Sequence, residues 1–463
     1  MFMNEIERKD KEYIWHPFTQ MQDWVAQPQL VIEAAEGIKL IDDQGNTYYD
    51  GVSSLWVNLH GHRHPTIDQA IIDQLGKVAH TTMLGLINVP AAQLAEELMA
   101  IVPQGLQKLF YSDDGSTAVE IAIKMAYQYW QLQGKPKKQK FITLANAYHG
   151  DTVGTVSVGG IDLFHRIFAA LLFETIQAPS PCCYHCKLAS DPKICGMACI
   201  TEVEKILAEG HEEIAAMIVE PLVQAAAGML AQPPGYLKKL RQVTEKYNVL
   251  LLVDEVATGF GRTGKMFACD HEGVSPDFMM VAKGITGGYL PLAATFMTDE
   301  IYNAFLGDAQ KRTFFHGHSY TGNPLCCAAG LANLKIFRDE KVLEGLEAKV
   351  EAARTKLQNF KALKHVGDVR QWGLMIGIEL VENPADKIPF PWKLAVGAKV
   401  CKKAREHGLM IRPIGSVVVF MPPLISTVTE IQHMLDIIHL SIKEVTEDGK
   451  MQYGVEDVAA VMI

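Results

Sequence analysis

Two residues in the second half of the chain have the types and spacing to do chemistry together. Asp254 closes the apolar run Val249–Val253, and Lys283 follows the apolar run Phe278–Ala282. Runs this short, bounded by Gly and Pro, read as buried parallel strands rather than helices. Ligands of open α/β sheets sit beyond the carboxyl ends of the strands, so both side chains are expected in one crevice. An isolated Asp-Glu or Lys-Gly pair is more often a turn cap or a solvated lysine. The surroundings favour chemistry instead: Gly259, Gly261, Gly264, Gly284, Gly287 and Gly288 line both loops, which suits a backbone closely approaching a flat ligand.

A carboxylate and an amine held this way suit pyridoxal 5'-phosphate. The lysine binds its aldehyde, and the aspartate keeps the pyridine nitrogen protonated so that the ring accepts electrons. An anion site is expected upstream, where the strand-like Lys108–Tyr111 leads into Ser112-Asp113-Asp114-Gly115-Ser116-Thr117 and a helix ending near Gly134. A Gly-Ser-Thr turn opening a helix offers amides and hydroxyls to a phosphate at the positive end of the helix dipole, although the same residues alone would serve as an N-cap. Phe141–Leu144 leads to Tyr148-His149-Gly150, and Ala215–Val219 ends at Glu220 in the same crevice. Glu220 suits either a hydrogen bond near the cofactor or a place at the entrance.

The segment DEVATGFGRTGKMFA, followed by PDFMMVAKGITGGYLP, resembles the class III, or ω-amino, aminotransferases, and the resemblance runs from Trp15 to about Pro423. It implies a fold-type I α/β architecture: a large domain with a mostly parallel seven-stranded sheet flanked by helices, and a small α+β lobe from both termini. The expected division is 1–60 for the N-terminal part of the small lobe, 61–330 for the large domain and 331–463 for the C-terminal part. The resemblance implies Lys283 and Asp254 as catalytic residues. It also implies Gly115 and Ser116 at the cofactor phosphate and Tyr148 stacked on the cofactor ring and touching substrate. In TFFHGHSYTGNP, His318 and Ser319 stand in register with the loop that reaches the partner's phosphate across a homodimer, with Gly317 beside the substrate. Arg412 matches the arginine that pairs with a substrate carboxylate, a task its planar fork suits.

WHPFTQM and DGVSSLWVNLHGHRHP resemble the branch of that family that makes 7,8-diaminononanoate for biotin, which implies 8-amino-7-oxononanoate as acceptor and S-adenosylmethionine as donor. Phe18, Leu55 and Trp56 are then substrate-pocket residues. Members using S-adenosylmethionine usually carry Tyr at the first position and Trp at the second, whereas Phe18 and Leu55 look closer to the lysine-using branch. Lysine is therefore the alternative donor. Further alternatives are an aminotransferase of other ω-amino acids or diamines, and a non-enzymatic binding protein with a thiol sensor.

The chain of 463 residues exceeds one ordinary core, and its composition, 48% hydrophobic and 21% charged, is that of a globular protein. The net charge of −10 argues against nucleic acid or an anionic membrane as partner. No apolar run approaches the roughly 18 residues of a spanning helix, and the first residues lack the apolar core of a signal peptide, so a cytoplasmic location is expected. Five of nine cysteines fall between Cys182 and Cys199, in a loop over 179–200. Cys183, Cys186, Cys195 and Cys199 form two close pairs whose spacing would allow zinc, with reduced surface thiols the favoured reading.

Overall fold

A computed structural model gives the structure of the protein and describes residues 4–448 apart from 190, 192 and 193. The chain divides into two compact units, one of the residues up to His64 together with those from Gly345 onward, the other Pro65–Glu344.

The larger unit is built on seven strands: β1 (Leu106–Ser112), β2 (Lys140–Leu144), β3 (Ile176–Ala178), β4 (Ile214–Val219), β5 (Leu250–Asp254), β6 (Phe278–Val281) and β7 (Ala293–Thr298). They lie in the order β1-β7-β6-β5-β4-β2-β3. Only β7 runs against its neighbours, pairing antiparallel with β6 and with β1, and the other contacts are parallel. This is the mostly parallel seven-stranded sheet expected from the sequence.

The continuous apolar runs follow from burial on both faces, because side chains alternate across a strand. Leu250 and Leu252 enter a core with helix α1 (Gly115–Leu132), through Val119, Ile123 and Ala126. Leu251 and Val253 enter the opposite core with helices α2 (Ala198–Gly210) and α3 (Tyr236–Lys246), through Val203, Leu207, Leu237 and Leu240. All four strand residues are buried, and each such side chain contributes about 1.5–3 kcal/mol relative to exposure. The register sets Asp254 opposite Met280, which puts Asp254 and the Lys283 that follows β6 at the same end of the sheet.

Helix α4 (Pro324–Asp339) packs on the helices Pro65–Leu75 and Val89–Met99. Its buried Asn333 donates to the carbonyls of Gly284 (3.0 Å) and Ile285 (3.1 Å), which ties the turn after Lys283 to the helical layer. The domain boundary expected near 330 falls inside this helix, and the observed division lies after Glu344, where the helical layer ends.

The smaller unit is α+β. A hairpin forms between Lys39–Asp42 and Thr47–Asp50, as the turn residues Asp42-Asp43-Gln44-Gly45-Asn46 between them lead one to expect, and Leu409–Met410 pairs parallel with the latter, so N-terminal and C-terminal segments share one sheet. A second, antiparallel sheet contains Val366–Trp372, Met375–Asn383, Arg412–Ile414 and Val417–Phe420. Among the described residues no helix is long and apolar enough to cross a membrane.

At the amino end of the large sheet, buried Lys138 donates to the carbonyls of His211 (2.7 Å), Ile214 (2.9 Å) and Asn248 (2.9 Å), with its amine 4.6 Å from the centre of the Trp130 ring. Replacing Lys138 by methionine removes these bonds but keeps most of the aliphatic volume. The expected cost is about 1–3 kcal/mol, because buried carbonyls lose their donor. Denaturant unfolding should show a lower midpoint with an unchanged slope; an unchanged midpoint would contradict the assignment.

Candidate active site

The carboxyl ends of β1, β2, β4, β5 and β6 each deliver one part of the site. Asp254 ends β5, is 5% exposed, and has both oxygens engaged. Its Oδ1 accepts from the Val256 amide at 3.0 Å, and its Oδ2 lies 2.7 Å from His149 Nδ1. Glu220 follows β4 and accepts from the amides of Tyr148 (3.2 Å) and Ala225 (3.0 Å). Burial, and next the neighbouring Asp254 carboxylate, push the Glu220 pKa well above the usual carboxylate range, while the two amide bonds and Lys283 oppose this.

Lys283 follows β6 with φ of 45°, a left-handed backbone for a residue with a Cβ. Such strain persists where the surroundings over-determine it, here through the Asn333 bonds to the next two carbonyls. Burial lowers the Lys283 pKa below the ordinary lysine range, the Asp254 and Glu220 carboxylates pull it back up, and buried Arg262 pushes it down again. An amine kept from full protonation is the form that attacks a carbonyl carbon.

Gly115 and Ser116 open α1, but the cap is Asp114. Its carboxylate accepts from the Thr117 amide at 2.9 Å, and the Thr117 hydroxyl accepts in return from the Asp114 amide at 3.2 Å. Capping therefore does not consume Ser116, whose Oγ accepts from the Asp151 amide at 3.2 Å. A Cβ added at Gly115 would come 2.7 Å from Val256 Cγ1, and one at Gly150, where φ is +124°, would come 2.0 Å from Ser116 Oγ. The turn Tyr148-His149-Gly150 is thus pressed against both the helix entrance and Asp254. The Tyr148 hydroxyl donates to Asp151 at 2.7 Å, its ring stands edge-on to Phe164, and burial raises its pKa above the ordinary tyrosine range.

The loop 313–323 lies on the same unit. Lys124 of α1 contacts His316 Nδ1 at 2.9 Å, and His80 donates to the Ser319 carbonyl at 2.8 Å. His318 Nε2 sits 3.6 Å from Asp113, and Gly317 and Ser319 are exposed.

Gly115, Ser116, Tyr148, Asp254 and Lys283 belong to the larger unit, and Phe18, Leu55, Trp56 and Arg412 to the smaller. Phe18 (φ 50°), Ser53 (51°), Ser54 (61°) and Trp56 (66°) all have left-handed backbones. The strained Ser53–Trp56 turn is held by buried Asp50, which accepts from the Ser54 amide (2.7 Å) and hydroxyl (2.8 Å). Arg412 pairs across from Val419 and is partly buried, which lowers its pKa from the ordinary arginine value.

In the cysteine loop, the Cys186 amide bonds the Cys183 carbonyl at 3.4 Å, and all nine cysteines are free of disulfides. Burial raises the Cys183 pKa and takes that of Cys199 to about 11, with neighbouring thiols adding to both shifts. Among the described residues no group of three His, Cys, Asp or Glu side chains is disposed to hold a metal.

The profile of the family described as aminotransferase class-III matches residues 20–442. The chain belongs to the class III aminotransferases. It is 53% identical over 446 residues to the adenosylmethionine-8-amino-7-oxononanoate aminotransferase of Aquifex aeolicus, covering 96% of this chain and 98% of the relative. The crystal structure of the enzyme of the same name from Methanocaldococcus jannaschii superposes with a TM-score of 0.90 at 46% identity, over 95% of this chain and 98% of that one. The ω-transaminase of Pseudomonas jessenii in complex with PMP superposes with a TM-score of 0.91 at 32% identity, over 95% and 98%.

A class III aminotransferase depends on pyridoxal phosphate, and the residues present fit it. A partly buried amine, a buried carboxylate and a helix entrance too tight for a Cβ at Gly115 are the features such a cofactor requires. Two contributors escaped the sequence reading. His149 contacts Asp254, and buried Arg262 acts on the charge of Lys283. The Tyr-His-Gly turn after a strand was the available signal for His149; Arg262 had none.

Glu255, on the opposite face of β5 from Asp254, is fully buried, accepts from the Cys269 amide at 2.9 Å, and has its pKa pushed up by burial to about 7. Its folded-state pKa lies above the ordinary 4.5, so its stability contribution is full below about pH 4.5 and is lost as pH climbs through about 7. Glu255→Gln removes this dependence. Relative to the parent, the variant should be least stable at the acid end of the window and recover toward neutral pH, measured by melting temperature against pH; parallel curves would contradict the shift.

Proposed function

We propose that this enzyme transfers an amino group to 8-amino-7-oxononanoate, giving 7,8-diaminononanoate on the route to biotin, with S-adenosylmethionine as donor. The observation that carries this reading is the identity of 46% and 53%, over about 95% of the chain, to two enzymes named for that reaction, beside a site that gathers Lys283, Asp254, Gly115 and Ser116. Membership of an aminotransferase family, with a partly buried amine set beside two buried carboxylates, supports a catalyst rather than a binding protein.

Pyridoxal phosphate, when bound, supplies an electron sink for the carbanion that forms as the donor carbon loses its proton. Lys283 would bind the cofactor through Nζ, and its free Nζ would take the proton from the donor carbon and return one, a role its lowered pKa suits. Asp254 would hold a proton at the ring nitrogen with a carboxylate that already accepts from Val256 and His149. Gly115 and Ser116 would hold the phosphate at the start of α1, and Tyr148 would stack on the ring. Arg412 pairs with the acceptor's carboxylate, and Phe18, Leu55, Trp56 and Gly317 border the substrate.

The active form is a homodimer in which His318 and Ser319 serve the partner's phosphate site. Leu84 (90% exposed), Ile87 (86%) and Phe315 (76%) support this, because they border a cleft of about 1410 Å³ beside the loop and form an apolar patch fit for a second copy. The enzyme acts in the cytoplasm on small molecules, without nucleic acid or membrane. Phe18 and Leu55 favour one second reading, lysine as the donor to the same acceptor.

The test mixes holoenzyme separately with S-adenosylmethionine and with lysine and follows bleaching of the cofactor's visible band. Bleaching by S-adenosylmethionine, with diaminononanoate formed on adding the acceptor, is expected. Bleaching by lysine alone moves the donor, and response only to a diamine or 4-aminobutyrate overturns the biotin assignment.

A further inference from the structure

The most constrained contact at the site lies behind Asp254 rather than in front of it. His149 Nδ1 and Asp254 Oδ2 are 2.7 Å apart and both side chains are buried, the imidazole completely. The other ring nitrogen, Nε2, is buried without a hydrogen-bond partner among the described residues. A carboxylate only accepts, so Nδ1 carries the proton between them. The ring therefore donates to Asp254 through Nδ1.

The backbone fixes this imidazole on both sides. The Tyr148 amide is bonded to Glu220, and Gly150, with φ of +124°, lies so close to Ser116 that no side chain fits. With the Val256 amide on Oδ1, two of the roughly four lone-pair positions of the carboxylate are taken. The plane of the group is then set by two partners, and about two acceptor positions remain for a third.

We propose that His149 is a positioning residue for the transamination: its Nδ1–H fixes the Asp254 carboxylate in the plane that meets the cofactor's ring nitrogen. The inference rests on the reading of Asp254 as the ring-nitrogen partner.

The test compares holoenzymes of the parent, Asp254→Ala, His149→Leu, His149→Asn and His149→Gln. Each is assayed for release of cofactor on dilution, followed by the visible band, and for kcat and donor KM. An asparagine amide can occupy the Nδ1 position, whereas a glutamine amide reaches past it. His149→Leu and His149→Gln should release cofactor about ten-fold faster and lose about ten-fold in kcat with donor KM within about two-fold, as expected for a lost bond to a charged group. His149→Asn should restore both to within about three-fold of the parent. Leucine or glutamine variants that match the parent, or an asparagine variant no better than they are, would overturn the role. If leucine does not fold, asparagine against glutamine decides. Parent-like cofactor retention in Asp254→Ala would overturn the placement of the ring nitrogen itself, and the inference with it.

Discussion

Holding an amine and two carboxylates out of water at one point is the constraint on which the rest of the larger unit depends. Lys283 loses solvation when it is enclosed, and so do Asp254 and Glu220. Their mutual attraction offsets part of that cost only while the geometry holds, since buried ion pairs are no source of stability by themselves. The fold meets this with backbone amides: Val256 on Asp254, and Tyr148 and Ala225 on Glu220. The outcome is a lysine below its ordinary pKa and a glutamate above its own, divergent shifts that mark chemistry rather than packing.

The sheet supplies the rigidity. Parallel strands buried on both faces end together, so the residues after β4, β5 and β6 are neighbours because the registers of those strands are locked by two separate cores. The glycine at the entrance of α1 and the one after His149 then permit approaches that a Cβ would block. The left-handed Lys283 is held from below by Asn333 on a helix that itself rests on two others. Packing far from the chemistry thereby fixes an angle at the lysine.

Much of this was legible in the sequence. The strands ending at Asp254, Glu220 and Lys283 are short apolar runs between breakers, and all three form as read. The hairpin around Asp42 forms as well, because turn chemistry is local: Asp42 accepts from the Gln44 and Asn46 amides. What escaped was non-local or ambiguous. The antiparallel β7, Ala-Ala-Thr-Phe-Met-Thr, has neither alternation nor a β-branched run, and it is defined by pairing with β1 and β6 and by packing on α1. The cap of α1 is Asp114, and no propensity rule separates it from Ser116 two residues on. His149 declares its role only when the turn after β2 meets the end of β5, a contact spanning 105 positions of chain.

The central claim, that the partly buried Lys283 is the amine that holds the cofactor, is tested most directly by chemical trapping. Holoenzyme reduced with borohydride and digested should carry the cofactor's mass on the peptide containing Lys283 and on no other lysine. Labelling at another lysine, such as the buried Lys138, or an absence of any label in protein that retains the visible band, would contradict the account.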